Sequence, residues 1–118
     1  MQDGSTATDV DETALLARLG GRRDLLSMLV SLFAGDLPEL ERSFAAALAA
    51  RDAVMVRRLA HRAVGTLADF SATALLERGR DLEERATAAA DVDALRPEIT
   101  VFLADLHALA ARLRRLVA

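Results

Sequence analysis

Apolar residues recur at three- and four-residue steps through most of this chain, and this spacing restricts its fold more than any other feature. The clearest run consists of Leu26, Leu29, Val30, Phe33, Leu37, Leu40, Phe44 and Leu48. Such a run forms one apolar face of an α-helix. No segment of useful length alternates apolar and polar residues as a half-buried strand does. With only two prolines and six glycines to make turns, the pattern predicts an all-α protein of long helices.

Helix-capping residues divide the first half of the chain. Asp9 or Asp11 is expected to cap a short first helix, which ends at Gly20-Gly21. A long second helix begins at Asp24 and extends to about residue 50. We expect it to be kinked or briefly broken over residues 35–38, because this segment has the acidic cap and the proline of a new helix start.

The second half of the chain supplies three further helices. Asp52 is expected to cap the third, residues 69–72 to form a turn or kink, and residues 74–88 to form the fourth. Asp91 or Asp93 is expected to cap the last helix. Four long amphipathic helices with short connections predict an antiparallel four-helix bundle, with the short N-terminal helix laid over it.

Length and composition indicate one compact domain. The 118 residues suffice for one domain and not for two. Residues 1–8 are small and polar and are expected to be a flexible tail, so the predicted bundle domain covers residues 9–118. Because the four phenylalanines are the only aromatic residues, the core must consist mainly of Leu, Val and Ala. The sequence has no cysteine, which excludes disulfides and thiolate metal sites.

The charge pattern argues against nucleic-acid and membrane partners. The net charge is −3, and all fifteen basic residues are arginines, mostly interleaved with acidic residues. Proteins that bind nucleic acids show a basic stripe or stacking aromatics, and neither is present in the sequence. No apolar run is long enough to span a bilayer, and the N-terminus lacks the features of a signal peptide. We therefore expect a cytoplasmic protein.

The third predicted helix carries a histidine on its polar side. At about 100° per residue, the apolar residues gather on one face and His61 falls on the opposite face. The apolar set is Met55, Val56, Leu59, Ala63, Leu67 and Phe70. A neutral imidazole is a nucleophile near physiological pH. Gly65, one turn further on, lowers helix stability by about 1 kcal/mol relative to alanine, which indicates that a large partner approaches His61 closely.

The residues after His61 form an ordered set. They are Gly65, Thr66, Phe70, Leu75, Leu82 and Glu83. This order resembles the histidine-containing phosphotransfer (HPt) domain family of multistep phosphorelays, whose members carry a reactive histidine, a glycine one turn later and Leu-Glu on the next helix. The upstream residues Gly20-Gly21, Phe33, Asp36, Pro38 and Leu40 match the family's lead-in. The resemblance covers about residues 9 to 117.

Two positions depart from the family pattern. The family lysine three residues after the histidine is Val64 here, and the glycine of the following turn is Ser71. The resemblance implies that this lysine helps to hold the phosphoryl charge, so its absence bears on the efficiency of transfer or the lifetime of the phosphohistidine. Arg57, Arg58 or Arg62 is the expected substitute, and Arg57 projects closest to the direction of the histidine.

The resemblance implies a phosphocarrier rather than a self-contained enzyme. His61 would accept a phosphoryl group from the aspartyl phosphate of a response-regulator receiver domain and pass it to another receiver. The implied partners are receiver domains and a hybrid sensor kinase. The receiver would supply Mg²⁺, so neither a metal nor a cofactor is expected in this domain. Glu83 matches the family's carboxylate on the neighbouring helix and is implied to orient the imidazole through Nδ1–H.

The residues around His61 form the predicted docking surface for the receiver. They are Arg57, Arg58, Ala60, Arg62, Val64, Gly65 and Ala68. Small and apolar side chains around a reactive group suit a transient contact of low area. The other histidine, His107, has Ala111 rather than glycine four residues later and is expected to have no role. We expect the chain to act as a monomer.

Two other functions remain open on the sequence alone. Val64 in place of the lysine favours an HPt-like module that binds receiver domains without carrying phosphate. The Ala- and Leu-rich stripes favour a helical oligomerisation module. Neither alternative requires phosphorylation of His61, so an acid-labile phosphate label on this residue would distinguish the phosphocarrier from both.

Overall fold

The computed structural model describes residues 8–89 and 91–118. These residues form five α-helices and one 3-10 helix, with no strand among them. The α-helices are α1 (Glu12–Arg18), α2 (Arg23–Ala49), α3 (Ala53–Asp69), α4 (Thr73–Ala88) and α5 (Arg96–Val117), and the 3-10 helix Val92–Leu95 directly precedes α5. The all-α prediction is confirmed. The tail predicted for residues 1–8 lies, apart from Thr8, outside the described residues. No helix in the described ranges is both long and apolar enough to cross a membrane.

The four long helices form a bundle in which each packs against two neighbours. α2 contacts α3 and α5, and α4 also contacts α3 and α5. Residues 50–52 and 70–72 make short connections, so consecutive helices run antiparallel. α1 lies over the end of α3, where Leu15 is fully buried and the Arg18 guanidinium donates to the Ala68 carbonyl oxygen at 2.7 Å. The predicted bundle with a short N-terminal helix is confirmed.

Aspartate caps fix the starts of the helices largely as predicted. The side chain of Asp11 accepts from the Ala14 N–H at the start of α1, and that of Asp52 accepts from the Met55 N–H at the start of α3, both at 3.0 Å. Asp91 caps the 3-10 helix rather than α5 itself. The α5 helix then continues directly from that turn, so its start needs no side-chain cap of its own.

α2 is continuous through the segment where the sequence predicted a kink or a break. The helix includes Pro38 in its interior, so the expectation of a break is wrong. Phe33, Leu37 and Leu40 lie on either side of the proline and are all buried in the core. Packing of this common face outweighs the backbone hydrogen bond that the proline removes. Asp36 therefore lies inside a helix instead of capping a new one.

Ser71 makes the turn between α3 and α4 with a positive φ of 56°. This left-handed conformation favours glycine and costs other residues roughly 1–2 kcal/mol. The turn holds because the N–H groups of Ser71 and Ala72 donate to the carbonyl oxygens of Ala68 and Leu67 at 3.2 and 3.1 Å. Phe70 and Ala72 on either side are buried. The serine thus adopts the backbone that a glycine would adopt, and α4 is placed against α3 without that glycine.

Candidate functional site

His61 projects from α3 into solvent, as the sequence predicted. Its side chain is 74% exposed, whereas Val56 and Leu67 on the opposite face are fully buried. Met55, which the sequence placed on the buried face, lies in the first turn of α3 and is 36% exposed. The helix is therefore fixed through its far side, and the imidazole is left accessible to a partner.

Glu83 of α4 contacts the imidazole directly. The Nδ1 atom of His61 lies 2.8 Å from Oε2 of Glu83. The arginines that could have competed for this carboxylate have other partners: Arg80 pairs with Glu77 at 3.1 Å and Arg85 with Glu98 at 3.2 Å. A carboxylate can only accept, so the contact favours the tautomer with hydrogen on Nδ1. The lone pair of Nε2 is then free and faces away from Glu83.

Gly65 lies one turn after His61 on the exposed side of α3. A Cβ atom built on it would meet nothing within 4 Å, so packing inside the domain does not require glycine here. Side chains on a helix lean toward its N-terminus and cover the preceding turn. A long side chain at this position would therefore lie over the imidazole of His61. The open surface at Gly65 is consistent with the predicted close approach of a partner.

Val64 packs between two helices, although the sequence placed it on the docking surface. It is half-buried, and its Cγ2 atom lies 2.9 Å from the point where a Cβ would sit on Gly79 of α4. Cζ of Phe102 lies 3.3 Å from the same point. Gly79 is thus needed for close helix packing, and the sequence analysis missed it. The available signal was a lone glycine inside a predicted helix, flanked by arginines.

The remaining residues of the predicted docking surface differ in their exposure to solvent. Arg58 and Arg62 are exposed, whereas Arg57 and Ala68 are half-buried. Ala60 is 0% exposed, so its assignment to the docking surface is wrong. The residue before His61 is turned by about 100° around the helix, toward the side on which α4 packs. Only part of the predicted surface is therefore accessible without rearrangement.

The second histidine has a different environment. Nε2 of His107 lies 3.5 Å from the carboxylate of Glu41, so this residue links α5 to α2. Neither a glycine one turn on nor a carboxylate on Nδ1 accompanies it among the described residues. Within residues 8–89 and 91–118, no three His, Cys, Asp or Glu residues lie close enough together to hold a metal ion.

The fold and the site can be compared with known proteins. No family model and no curated protein matches the sequence. The fold is similar to that of the HPt domain of a sensor hybrid histidine kinase from Shewanella, with a TM-score of 0.75 over 95% of this chain and 96% of that one. Their sequence identity of 16% supports the fold alone.

A second solved structure is more similar in sequence. Histidine-containing phosphotransfer protein B from Pseudomonas aeruginosa is 28% identical, with a TM-score of 0.72 over 93% of this chain and 97% of that one. Both likenesses extend over nearly the whole length of each partner, and the exposed His61 lies at the position that the sequence pattern indicated. The fold of this chain is therefore that of the histidine-containing phosphotransfer domains.

Proposed function

We propose that this domain carries a phosphoryl group on His61 between receiver domains of a two-component phosphorelay. The observation that carries the proposal is the exposed imidazole of His61, with Nδ1 held 2.8 Å from the Glu83 carboxylate. An imidazole held in one orientation presents Nε2 to an approaching partner. The similarity to HPt domains supports the same reading.

The proposed transfer step uses this geometry. The lone pair of Nε2 attacks the phosphorus of a receiver's aspartyl phosphate, a bond forms between Nε2 and phosphorus, and the bond from phosphorus to the aspartyl oxygen breaks. The receiver recovers its carboxylate. Nδ1 keeps its proton, and the positive charge that develops on the ring is offset by the Glu83 carboxylate. The same steps in reverse deliver the phosphoryl group to a second receiver.

In this proposal, the partner supplies most of the charge neutralisation that phosphoryl transfer requires. Phosphoryl transfer requires mainly positioning and neutralisation of charge. The receiver would supply Mg²⁺ and its own cation, and this domain would supply a rigidly held nucleophile without a cofactor. The proposed partners are therefore receiver domains and a hybrid sensor kinase, which a monomer of this domain would contact through the exposed face of α3.

A second candidate function rests on Val64. If the family lysine at this position were indispensable, this domain would bind receivers without accepting phosphate. The two functions are separated by measuring binding and labelling in parallel, with a panel of phosphorylated receivers from the same organism. The phosphocarrier takes up acid-labile label from at least one receiver and returns it to another. Binding to a receiver without labelling would support the second candidate, and association only with other copies of this chain would support an oligomerisation module.

Removal of the Glu83 carboxylate tests the orientation of the imidazole. In Glu83→Ala, the tautomer with hydrogen on Nε2 gains population, because Nδ1–H has lost its acceptor. We expect the transfer rate to fall by about ten-fold, the lower end of the range seen when a group that orients a metal-ligating histidine is removed. Nitrogen NMR of the ring and single-turnover transfer measure the two effects. The matched control is Glu84→Ala, an exposed neighbour on α4. Unchanged tautomers in Glu83→Ala would contradict the orienting role.

Restoration of the family lysine tests the importance of Val64. A phosphohistidine carries about two negative charges, and an exposed ion pair contributes only about 0.2–1 kcal/mol. Val64→Lys should therefore shift the transfer equilibrium toward phospho-His61 by only a few-fold, and by less at high salt. It should also lower the free energy of unfolding by about 1 kcal/mol, because Val64 fills the space above Gly79.

Val54→Lys is the control for the loss of stability. Val54 lies on the same helix but is 51% exposed, so this change should alter the free energy of unfolding by less than about 0.5 kcal/mol. Urea unfolding and equilibrium transfer measure both variants. If Val64→Lys converted an inactive domain into a fully active one, the native chain would be a binding-only module.

A further inference from the structure

We infer that Arg58 holds the phosphoryl group once it is attached to His61, in place of a cation at position 64. This inference rests on the proposed function and names the group that receives the phosphoryl oxygens. Arg58 would act as a positioning residue, approaching those oxygens from the turn before His61 and from the side of the ring opposite Glu83.

The first observation is that the side chain at position 64 packs between α3 and α4. Cγ2 of Val64 fills the space over Gly79, next to the ring of Phe102. An apolar side chain committed to the contact between α3 and α4 contributes no charge to the surface. Any cation that this domain itself contributes to the phosphoryl group must therefore belong to a residue other than Val64.

The second observation is the distribution of ion pairs. Nine of the fifteen arginines pair with a carboxylate in the described part of the chain. Six have no such partner there, and three of these six, Arg57, Arg58 and Arg62, lie within four residues of His61. Half of the arginines without a described carboxylate partner thus lie around the proposed phosphoryl acceptor. Such a concentration favours a doubly charged anion at this place.

The direction of the imidazole selects among the three arginines. The two ring nitrogens point to nearly opposite sides, so a ring with Nδ1 against Glu83 of α4 directs Nε2 away from α4. At about 100° per residue, Arg57 is turned by about 40° from His61 toward the side of Val64, which is the α4 side. Arg58 is turned by about 60° to the other side, the same side as Gly65. Arg58 therefore lies on the side to which Nε2 points, although Arg57 is closer to His61 in projection.

Exposure and local charge support the same choice. Arg58 is exposed, whereas Arg57 is half-buried. Arg62 lines a groove of about 440 Å³ between α2 and α3, and the carboxylates of Asp36 and Glu39 line it as well. The carboxylate of Asp36 offsets the charge of Arg62 and repels a phosphoryl group nearby, whereas that of Glu39 pairs with Arg42 at 3.4 Å. Arg58 is neither half-buried nor a lining residue of this groove. The surface at Gly65 leaves room for the phosphoryl oxygens.

A donor that needs no receiver tests this assignment. Phosphoramidate transfers its phosphoryl group as its P–N bond breaks and the Nε2–P bond forms, and ammonia leaves with a proton taken from water. Phosphorus NMR then follows the titration of the phosphoryl group on the full chain. A nearby guanidinium favours the dianion and lowers the pKa of the phosphoryl group, so this pKa should be higher in Arg58→Gln than in the native chain. The transfer equilibrium with a receiver should move away from phospho-His61 by roughly two- to five-fold, and the difference should diminish at high salt.

Arg115→Gln is the matched control, because Arg115 is an exposed arginine near the end of α5 and its change alters the net charge equally. It should titrate like the native chain, and circular dichroism should show that all variants are folded. A native titration in Arg58→Gln, or a larger shift in Arg57→Gln, would overturn the assignment. If His61 accepted phosphate from phosphoramidate but from no receiver, the proposed function would fail, while the titration would still decide the role of Arg58.

Discussion

Replacement of His61 by glutamine should remove all acid-labile phosphate from the domain and leave its fold intact. The side chain is 74% exposed, and its described contact is the single hydrogen bond to Glu83. Its loss should change the free energy of unfolding by less than about 0.5 kcal/mol. Glutamine keeps polar atoms at the site but has no nucleophilic nitrogen. Labelling by a phosphorylated receiver, followed by acid treatment, measures the result.

His107→Gln is the matched control for this loss. His107 is half-exposed and lies beside Glu41, on the face formed by α2 and α5. This variant should accept label as the native chain does, because the remaining histidine is the proposed acceptor. Full labelling of His61→Gln, or loss of label in His107→Gln, would show that the phosphoryl group is attached elsewhere.

Gly65→Gln should slow transfer from a receiver by roughly ten- to a hundred-fold, the loss expected when reacting groups are held about 1 Å out of place. The new side chain would lean over His61 and occupy the space of the incoming receiver. The same change should stabilise the domain by up to about 1 kcal/mol, because nothing lies within 4 Å of a Cβ at this position. Single-turnover transfer and urea unfolding measure the opposite effects on rate and stability.

Phosphoramidate provides the internal control for Gly65→Gln. A donor of this size does not need the clearance that a receiver domain needs, so its reaction with His61 should slow far less than transfer from the receiver. Equal slowing with both donors would indicate that the new side chain disturbs the imidazole itself. Native transfer rates from the receiver would show that Gly65 has another purpose.

The spacing of apolar residues and the helix-capping residues predicted most of the fold, because these local signals seldom conflict in this chain. The apolar stripe of the second helix is long enough to define its buried face, and Asp11 and Asp52 cap the helices that they were expected to cap. The error at Pro38 has a physical cause. A proline and an acidic residue are local signals, whereas the burial of Phe33 and Leu40 on a common face is a tertiary effect. Tertiary packing prevailed over the local signals.

The site was predicted less completely, because a helical wheel places residues around one helix and says nothing about its neighbours. It placed His61 correctly in solvent, but it could not show that Ala60 is buried or that Val64 packs over Gly79 of α4. The contact between His61 and Glu83 was implied by the family resemblance, and the structure gives its length of 2.8 Å. The need for glycine at position 79 becomes apparent only when α3 and α4 are packed together. The preference for Arg58 over Arg57 likewise depends on the side to which Nδ1 is directed.

Transfer from a phosphorylated receiver to the native domain, followed by NMR of the histidine ring nitrogens and of phosphorus, tests the central claim most directly. If His61 is the phosphocarrier, one new phosphorus resonance appears and couples to Nε2 of His61, while Nδ1 retains its proton beside Glu83. The label then passes to a second receiver. Phosphorus attached to Nδ1 or to His107, or receiver binding without any phosphorylated histidine, would contradict the claim.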